Sequence, residues 1–330
     1  MTVRVGVIGT GVMGAAHARL LATGIGGAEL VAVSDVDTAR ARAVAAALPG
    51  ARALDDPARL IDDDAVDAVL IASSDGTHER YVLACLAAGK PVLCEKPLAP
   101  TVAGCRHILA AEEAAGTRSV SVGFMRRYDP GYRELRDTMR DGRIGAPLLM
   151  HCVHRNPRAM PGVTGADVIG NSAVHELDAC RWLLDDEVAT VTVHAPRGTA
   201  PGPLVLVLET AGGVLVDAEV SVTARYGYEV RCEVVGTDGT VSLDSPPATV
   251  LRLDGGYRRP LPMDWRPRFA EAYRYELQDW VDAVRAGRLW SGASSWDGFA
   301  ATATAQAAVA ALRSGAAQKV ELDAPPALYR

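Results

Sequence analysis

The first fourteen residues constrain the fold more than any other stretch. A β-branched apolar run (VRVGVI, 3–8) leads directly into Gly9-Thr10-Gly11-Val12-Met13-Gly14, and an Ala-rich segment of helical period follows. Strand, glycine turn and helix in that order open a βαβ unit. The first glycine permits the tight turn, the second lets the backbone approach a pyrophosphate, and the third lets helix pack close on strand. Such a glycine pattern is common by itself. Its companion here is Asp35, 21 residues past Gly14 at the end of the second apolar run. A carboxylate at that place can accept hydrogen bonds from ribose hydroxyls. The pair indicates a dinucleotide site, with Val12 and Met13 offering first-turn amides. Asp35 also selects the cofactor: its charge repels a 2′-phosphate, and Val36 and Asp37 follow it rather than an arginine, so NAD is expected over NADP. The alternative reading of Asp35 is a strand-end carboxylate that merely starts a turn.

From residue 3 to about 123, short apolar runs alternate with longer helical stretches, the pattern of parallel strands joined by crossovers. Strands are expected at 3–8, 30–34, 68–72, 91–94 and 119–123. The charged segment RRYDPGYRELRDTMRDGRIG then reads as an amphipathic helix ending at Gly142 or Gly145. Beyond about 146, PLLMHCVHR, ATVTVHA, PLVLVLET, GVLVDAEVSVTA and YEVRCEVVG read as half-buried strands. Turns such as AGG and TDGT between them signal hairpins in an open, mainly antiparallel sheet. SAVHELDACRWLL interrupts these strands as a helix, and two long helices close the chain at 269–286 and 294–314. The expected fold class is α/β, with a Rossmann domain over 1–123 and a second α/β domain over 124–330, onto whose predecessor the last helices can pack back.

A chain of 330 residues can bury enough surface for two domains. Its net charge of −6 argues against nucleic acid, which requires a dense cationic surface. Six scattered cysteines form no C-x-x-C pair, so neither a metal site nor a disulfide framework is expected; they suit a reducing compartment. The opening strand lacks the features of a signal peptide, and no uncharged run approaches the roughly 20 residues of a membrane span. A cytoplasmic location with no membrane association is the expectation.

Candidates for chemistry cluster at strand ends. Ser73 and His78 follow the third major strand, where the ligand crevice of such a sheet opens. His78 alone suits a helix start better than a catalyst. Glu95-Lys96-Pro97 follows the fourth, and an ammonium there can hydrogen-bond a substrate oxygen and stabilise alkoxide character. Downstream, Asn171, His175 and Asp178 recur at spacings of four and three. With a helix beginning near Ser172, His175 and Asp178 share a face and Asn171 caps it. Hydride removal from a secondary alcohol also needs a base that takes the hydroxyl proton, and histidine is the natural one. A helix histidine is otherwise often a satisfied core residue.

The stretches GVIGTGVMG, AVSDVD, CEKPLA, VGFMRRYDPGY, HCVHRNP, VHELD, YGYEVRCEVVG, AEAYRYELQDWVDAV and WDGFAA resemble the glucose-fructose oxidoreductase / inositol dehydrogenase / MocA family over almost the whole chain. The resemblance implies an NAD-dependent oxidoreductase of cyclitols or sugars, with a second domain that binds substrate and supports a homotetramer. It implies catalytic roles for Lys96 and His175, with Glu95 and Lys96 also near the cofactor. Further substrate contacts would be Arg127, His154, Asn156, Asn171 and Tyr228. Without the resemblance, Arg127 could pair with Asp129, His154 could pack in the sheet and Tyr228 could fill the core. One departure stands out: the inositol dehydrogenases carry an aspartate where this chain has Asn171, which weakens the base or adapts the site to another cyclitol, an aminocyclitol or a pyranose. A nucleotide-binding sensor without turnover is the reading from a different class.

Overall fold

The computed structural model describes residues 2–198, 201–243, 251–258 and 260–330, in two compact units. The first comprises the chain up to Tyr128, Ala272–Thr302 and Asp323–Arg330; the second comprises Asp129–Glu271 and Ala303–Leu322. The chain passes between the units at 128/129, 271/272, 302/303 and 322/323. The physical reason is apolar: Leu277, Trp280 and Val281 from the helix Arg266–Ala286 are buried in one cluster with Val3, Val5, Val7 and Leu30.

In the first unit, β1 (Val3–Ile8), β2 (Ala28–Ser34), β3 (Arg52–Leu54), β4 (Ala68–Ile71), β5 (Val92–Glu95) and β6 (Val120–Gly123) form a parallel sheet in the order β6-β5-β4-β1-β2-β3. Ala293–Ser294 adds antiparallel to β6. β1 is central, with Val5 and Val7 fully buried, as a strand covered on both faces must be. The strand order reverses at β1 and β4, so the crevice opens beyond their carboxyl ends, where the glycine turn and Ala72-Ser73-Ser74 lie. The short edge strand β3 carries no apolar run and was not expected from sequence.

The second unit is built on β7 (Pro147–Arg155), β8 (Val188–His194), β9 (Leu204–Thr210), β10 (Leu215–Ser221), β11 (Glu229–Gly236) and β12 (Thr240–Leu243), in the order β12-β11-β7-β10-β9-β8, with Gln318–Lys319 added to β8. Every pairing is antiparallel except β7 with β10. The AGG and TDGT turns close the β9/β10 and β11/β12 hairpins. Along β9, Leu204, Leu206 and Leu208 are buried while Val205 and Val207 face outward. Within this unit the helix Val174–Leu184 packs on β7 and is buried from Val174 through Leu183.

Candidate active site

The glycine turn is dictated by close approach. Gly9 has φ +92°, and a Cβ there would lie 2.5 Å from the carbonyl of Ala72; a Cβ on Gly14 would lie 1.8 Å from the Gly9 carbonyl oxygen. At Gly11 a Cβ meets nothing within 4 Å, so this backbone faces open space. The helix that follows, α1 (Val12–Thr23), has Gly11 as N-cap with no side-chain cap and no acidic residue in its first turn, leaving its positive end for an anion. Val12 is exposed at that end and Met13 is half-buried.

Asp35 ends β2 beside this turn, 6% exposed. Its Oδ2 accepts from the Thr10 amide at 2.6 Å and the Thr10 hydroxyl at 2.9 Å; its Oδ1 accepts from the Asp37 amide at 2.9 Å and Arg40 Nη2 at 3.0 Å. Burial alone would raise the carboxyl's pKa. Four donors, each worth about 1.5–3 kcal/mol to a charged group, outweigh it and hold the pKa below the usual range. Asp35, Val36, Arg40, Gly9, Gly11 and Ser73 line one cavity of about 290 Å³. Sequence reading found no arginine directly after Asp35 and so missed Arg40. It lies five residues on, in the first turn of α2 (Thr38–Ala47), whose cap is Asp37. An arginine one helical turn past that cap was the available signal.

The Glu95-Lys96-Pro97 turn lies at the end of β5, with a cis bond before Pro97. Lys96 is half-buried. Burial pushes its ammonium below the usual lysine range, with Arg126 acting in the same direction, while Glu95 and Asp75 oppose the shift. Glu95 is held on both oxygens: Oε1 is 2.7 Å from His17 Nε2 and Oε2 accepts from the Lys96 amide at 3.2 Å. Burial pushes the Glu95 carboxyl up, but His17 and Lys96 bring it below the usual range. His78 is buried, with Nδ1 2.7 Å from the Pro97 carbonyl and Nε2 3.1 Å from the Ser73 carbonyl. With both ring nitrogens so placed, it braces two crevice turns. The Ser73 hydroxyl meets that of Thr77 at 2.7 Å. Arg127, buried just after β6, pairs with Asp297 at 2.9 Å. Asp129 binds Arg268 and the Tyr132 amide.

The second unit gathers a different set. His154 on β7 is buried, its Nδ1 3.1 Å from Glu176 Oε2 and its Nε2 3.2 Å from Asn156 Nδ2. The natural assignment has Nδ1–H donating to the buried Glu176 carboxylate and Nε2 accepting from the amide. This commits the His154 ring and orients Asn156. The rings of His175 and Tyr228 lie 6.2 and 5.8 Å from that of His154, both edge-on. Sequence reading overlooked Glu176, although it sits between His175 and Leu177 in the quoted VHELD. The N-cap expected at Asn171 is corrected. The helical run begins at Gly165, capped by Thr164 and Asp167, and passes through a π-helical turn, Ile169–Ala173, before Val174–Leu184. Asn171 is thus an exposed residue inside a wide turn, an irregularity that recurs at functional sites. Asp178 is buried one turn beyond His175.

Among the described residues, no group of His, Cys, Asp or Glu is arranged to hold a metal ion, and no helix is long and apolar enough to cross a membrane. All six cysteines are free and buried; burial pushes the thiols of Cys85 and Cys180 up to about 12.

Residues 3–124 match the model of an oxidoreductase family with an NAD-binding Rossmann fold, and residues 132–242 match the GFO/IDH/MocA C-terminal domain. The chain belongs to the GFO/IDH/MocA family. Within that family it is 53% identical over 336 aligned positions to inositol 2-dehydrogenase 1 of Saccharopolyspora erythraea, covering all of this chain and 99% of the relative. It is 48% identical to the inositol 2-dehydrogenase of Acidothermus cellulolyticus, covering all of this chain and 98% of the relative. Among solved structures, myo-inositol dehydrogenase from Lactobacillus casei in complex with NAD(H) and myo-inositol superposes with a TM-score of 0.96 at 37% identity over the full length of both chains. The GFO/IDH/MocA assignment accounts for both the parallel Rossmann sheet and the mixed sheet of the second unit.

Proposed function

We propose that this protein is an NAD-dependent inositol 2-dehydrogenase that oxidises a ring hydroxyl of myo-inositol to the ketone. The observation that carries the reading is the glycine cradle with ionised Asp35 at one strand end and the half-buried Lys96 at another, in a chain 53% identical to a protein of that name. The cradle fits NAD: open space at Gly11, an uncapped helix end for the pyrophosphate and a carboxylate for the ribose. Bound NAD supplies the hydride acceptor.

The chain's own residues supply the rest. His175 takes the hydroxyl proton as the carbon-bound hydrogen leaves. Lys96 donates a hydrogen bond to the same oxygen and stabilises its developing negative charge; a depressed ammonium pKa makes it a stronger donor. Arg127 and Tyr228 serve as substrate contacts, as does Asn156 through the orientation His154 gives it. Asn171 favours a second reading, the same chemistry on another inositol isomer, an aminocyclitol or a pyranose, because an amide there carries no charge to support a protonated imidazole. A screen of NAD reduction over inositol isomers, aminocyclitols and aldoses separates the two. The first reading expects myo-inositol to lead the panel and Asn171→Asp to raise its turnover about tenfold. A different preferred substrate and no gain from Asn171→Asp would replace it with the second. NADH binding without turnover across the panel would mean a sensor.

We also propose assembly as a homotetramer through the outward face of the mixed sheet, where Val205, Val207 and Leu215 are exposed on adjacent strands. Light scattering should give four chains' mass; a monomer's mass would refute it.

A further inference from the structure

The Glu95-Lys96-Pro97 turn is held by a residue that neither the motif nor the proposed reaction includes. His17 lies on α1, one turn beyond Gly14, and is 2% exposed. Its Nε2 is 2.7 Å from Glu95 Oε1, whereas its Nδ1 is buried with no hydrogen-bond partner among the described residues. The ring proton therefore belongs at Nε2, where it is donated to the carboxylate. Tyr273 packs edge-on against the ring at 5.5 Å and fixes its plane. On the other side the carboxylate rests against Gly123, where a Cβ would stand 3.3 Å from Glu95 Oε2, so only a small residue leaves the carboxylate its place. Glu95 is thus clamped, with Oε1 on His17 and Oε2 on the Lys96 amide. The same carboxylate is the foremost charge acting to keep the Lys96 ammonium protonated against burial.

We propose that His17 is a positioning residue for dehydrogenation: it donates Nε2–H to Glu95 and so fixes the carboxylate that orients and counter-charges Lys96. The helix that presents the glycine turn thereby also sets the lysine. The role in turnover rests on the dehydrogenase reading; the link from His17 to Lys96 does not, and the two are measured separately.

Lys90, Lys96 and Lys319 are the only lysines, so in protein labelled with 13C at lysine Cε the Lys96 resonance can be assigned with Lys96→Arg and titrated without substrate or cofactor. In His17→Leu the Lys96 midpoint should fall by about one pH unit as the carboxylate loses its clamp. In His17→Gln, whose amide places a donor near the former Nε2, it should stay near the wild-type value. In turnover assays of NAD and myo-inositol, or the preferred cyclitol, His17→Leu should lower kcat about 10²-fold with little change in KM, as misplacement of a reacting group does. Rescue by His17→Gln is expected. In a Glu95→Gln background, His17→Leu should cost less than about twofold more, because the two residues act as one unit. An unmoved Lys96 midpoint in folded His17→Leu, or losses that simply multiply in the double variant, would overturn the proposal. If the midpoint moves but wild-type protein turns over no cyclitol, the link stands and the dehydrogenase reading fails.

Discussion

The two units build their functional groups in opposite ways. In the first, the cofactor cradle is mostly backbone: the Gly9 turn, the first amides of α1 and the Ala72-Ser73 segment, all at the ends of neighbouring parallel strands. In the second, the candidate groups are side chains from β7, the Val174–Leu184 helix and the Tyr228 segment, oriented by one another through Glu176, His154 and Asn156. A backbone site tolerates little change in shape because peptide groups cannot be swapped. A side-chain site can change chemistry one residue at a time. The difference explains how one cofactor architecture can stay fixed while single side chains of the second unit, Asn171 among them, are free to differ.

The sharpest break of this contrast comes from removing reacting side chains. His175→Ala and Lys96→Ala should each lower kcat by about 10³-fold or more, while NAD affinity measured by calorimetry stays within a few-fold. Parallel losses in turnover and NAD affinity would erase the distinction. Next in size, Gly9→Ala should weaken NAD binding about 10²-fold, since its Cβ meets the Ala72 backbone at a left-handed φ and the turn must open. Wild-type affinity in that variant would mean the cradle is not where NAD sits. The smallest effect concerns Asp35 and Arg40. All four lone-pair positions of the carboxylate are in use, and the half-exposed Arg40 is the donor that can leave for a ribose hydroxyl. Arg40→Ala should tighten NAD binding about two- to threefold and weaken any binding of NADP; weaker binding of NAD instead would make Arg40 a direct contact.

The pH dependence separates the regions too. The Asp35 pKa is held below its unfolded value, so the stability it confers is present above about pH 4 and is lost only as pH falls through the lowered value. NAD affinity should therefore stay flat across neutral pH. Turnover, which needs a proton acceptor besides the cofactor, should fall towards acid. An NAD dissociation constant that follows the turnover profile would show that one group governs both.

By itself the sequence determined the alternation of strands and helices in the first unit, the glycine turn, the place of Asp35 at the end of β2, Lys96 at the end of β5 and the hairpins of the second sheet. These follow from short-range physics: side-chain periodicity, and backbone conformations that only glycine adopts without strain. The edge strand β3 escaped because it has no apolar run, and the cap assigned to Asn171 was displaced because Thr164 and Asp167 start the helix two turns earlier and a π-helical turn absorbs the difference. Tertiary structure alone decided which groups hold the chemistry in place. His17 meets Glu95 across 78 residues and Glu176 meets His154 across 22; Arg127 pairs with Asp297 from far along the chain. Such partnerships depend on which strands and helices become neighbours, and a buried polar atom takes its partner from whatever packing brings within reach.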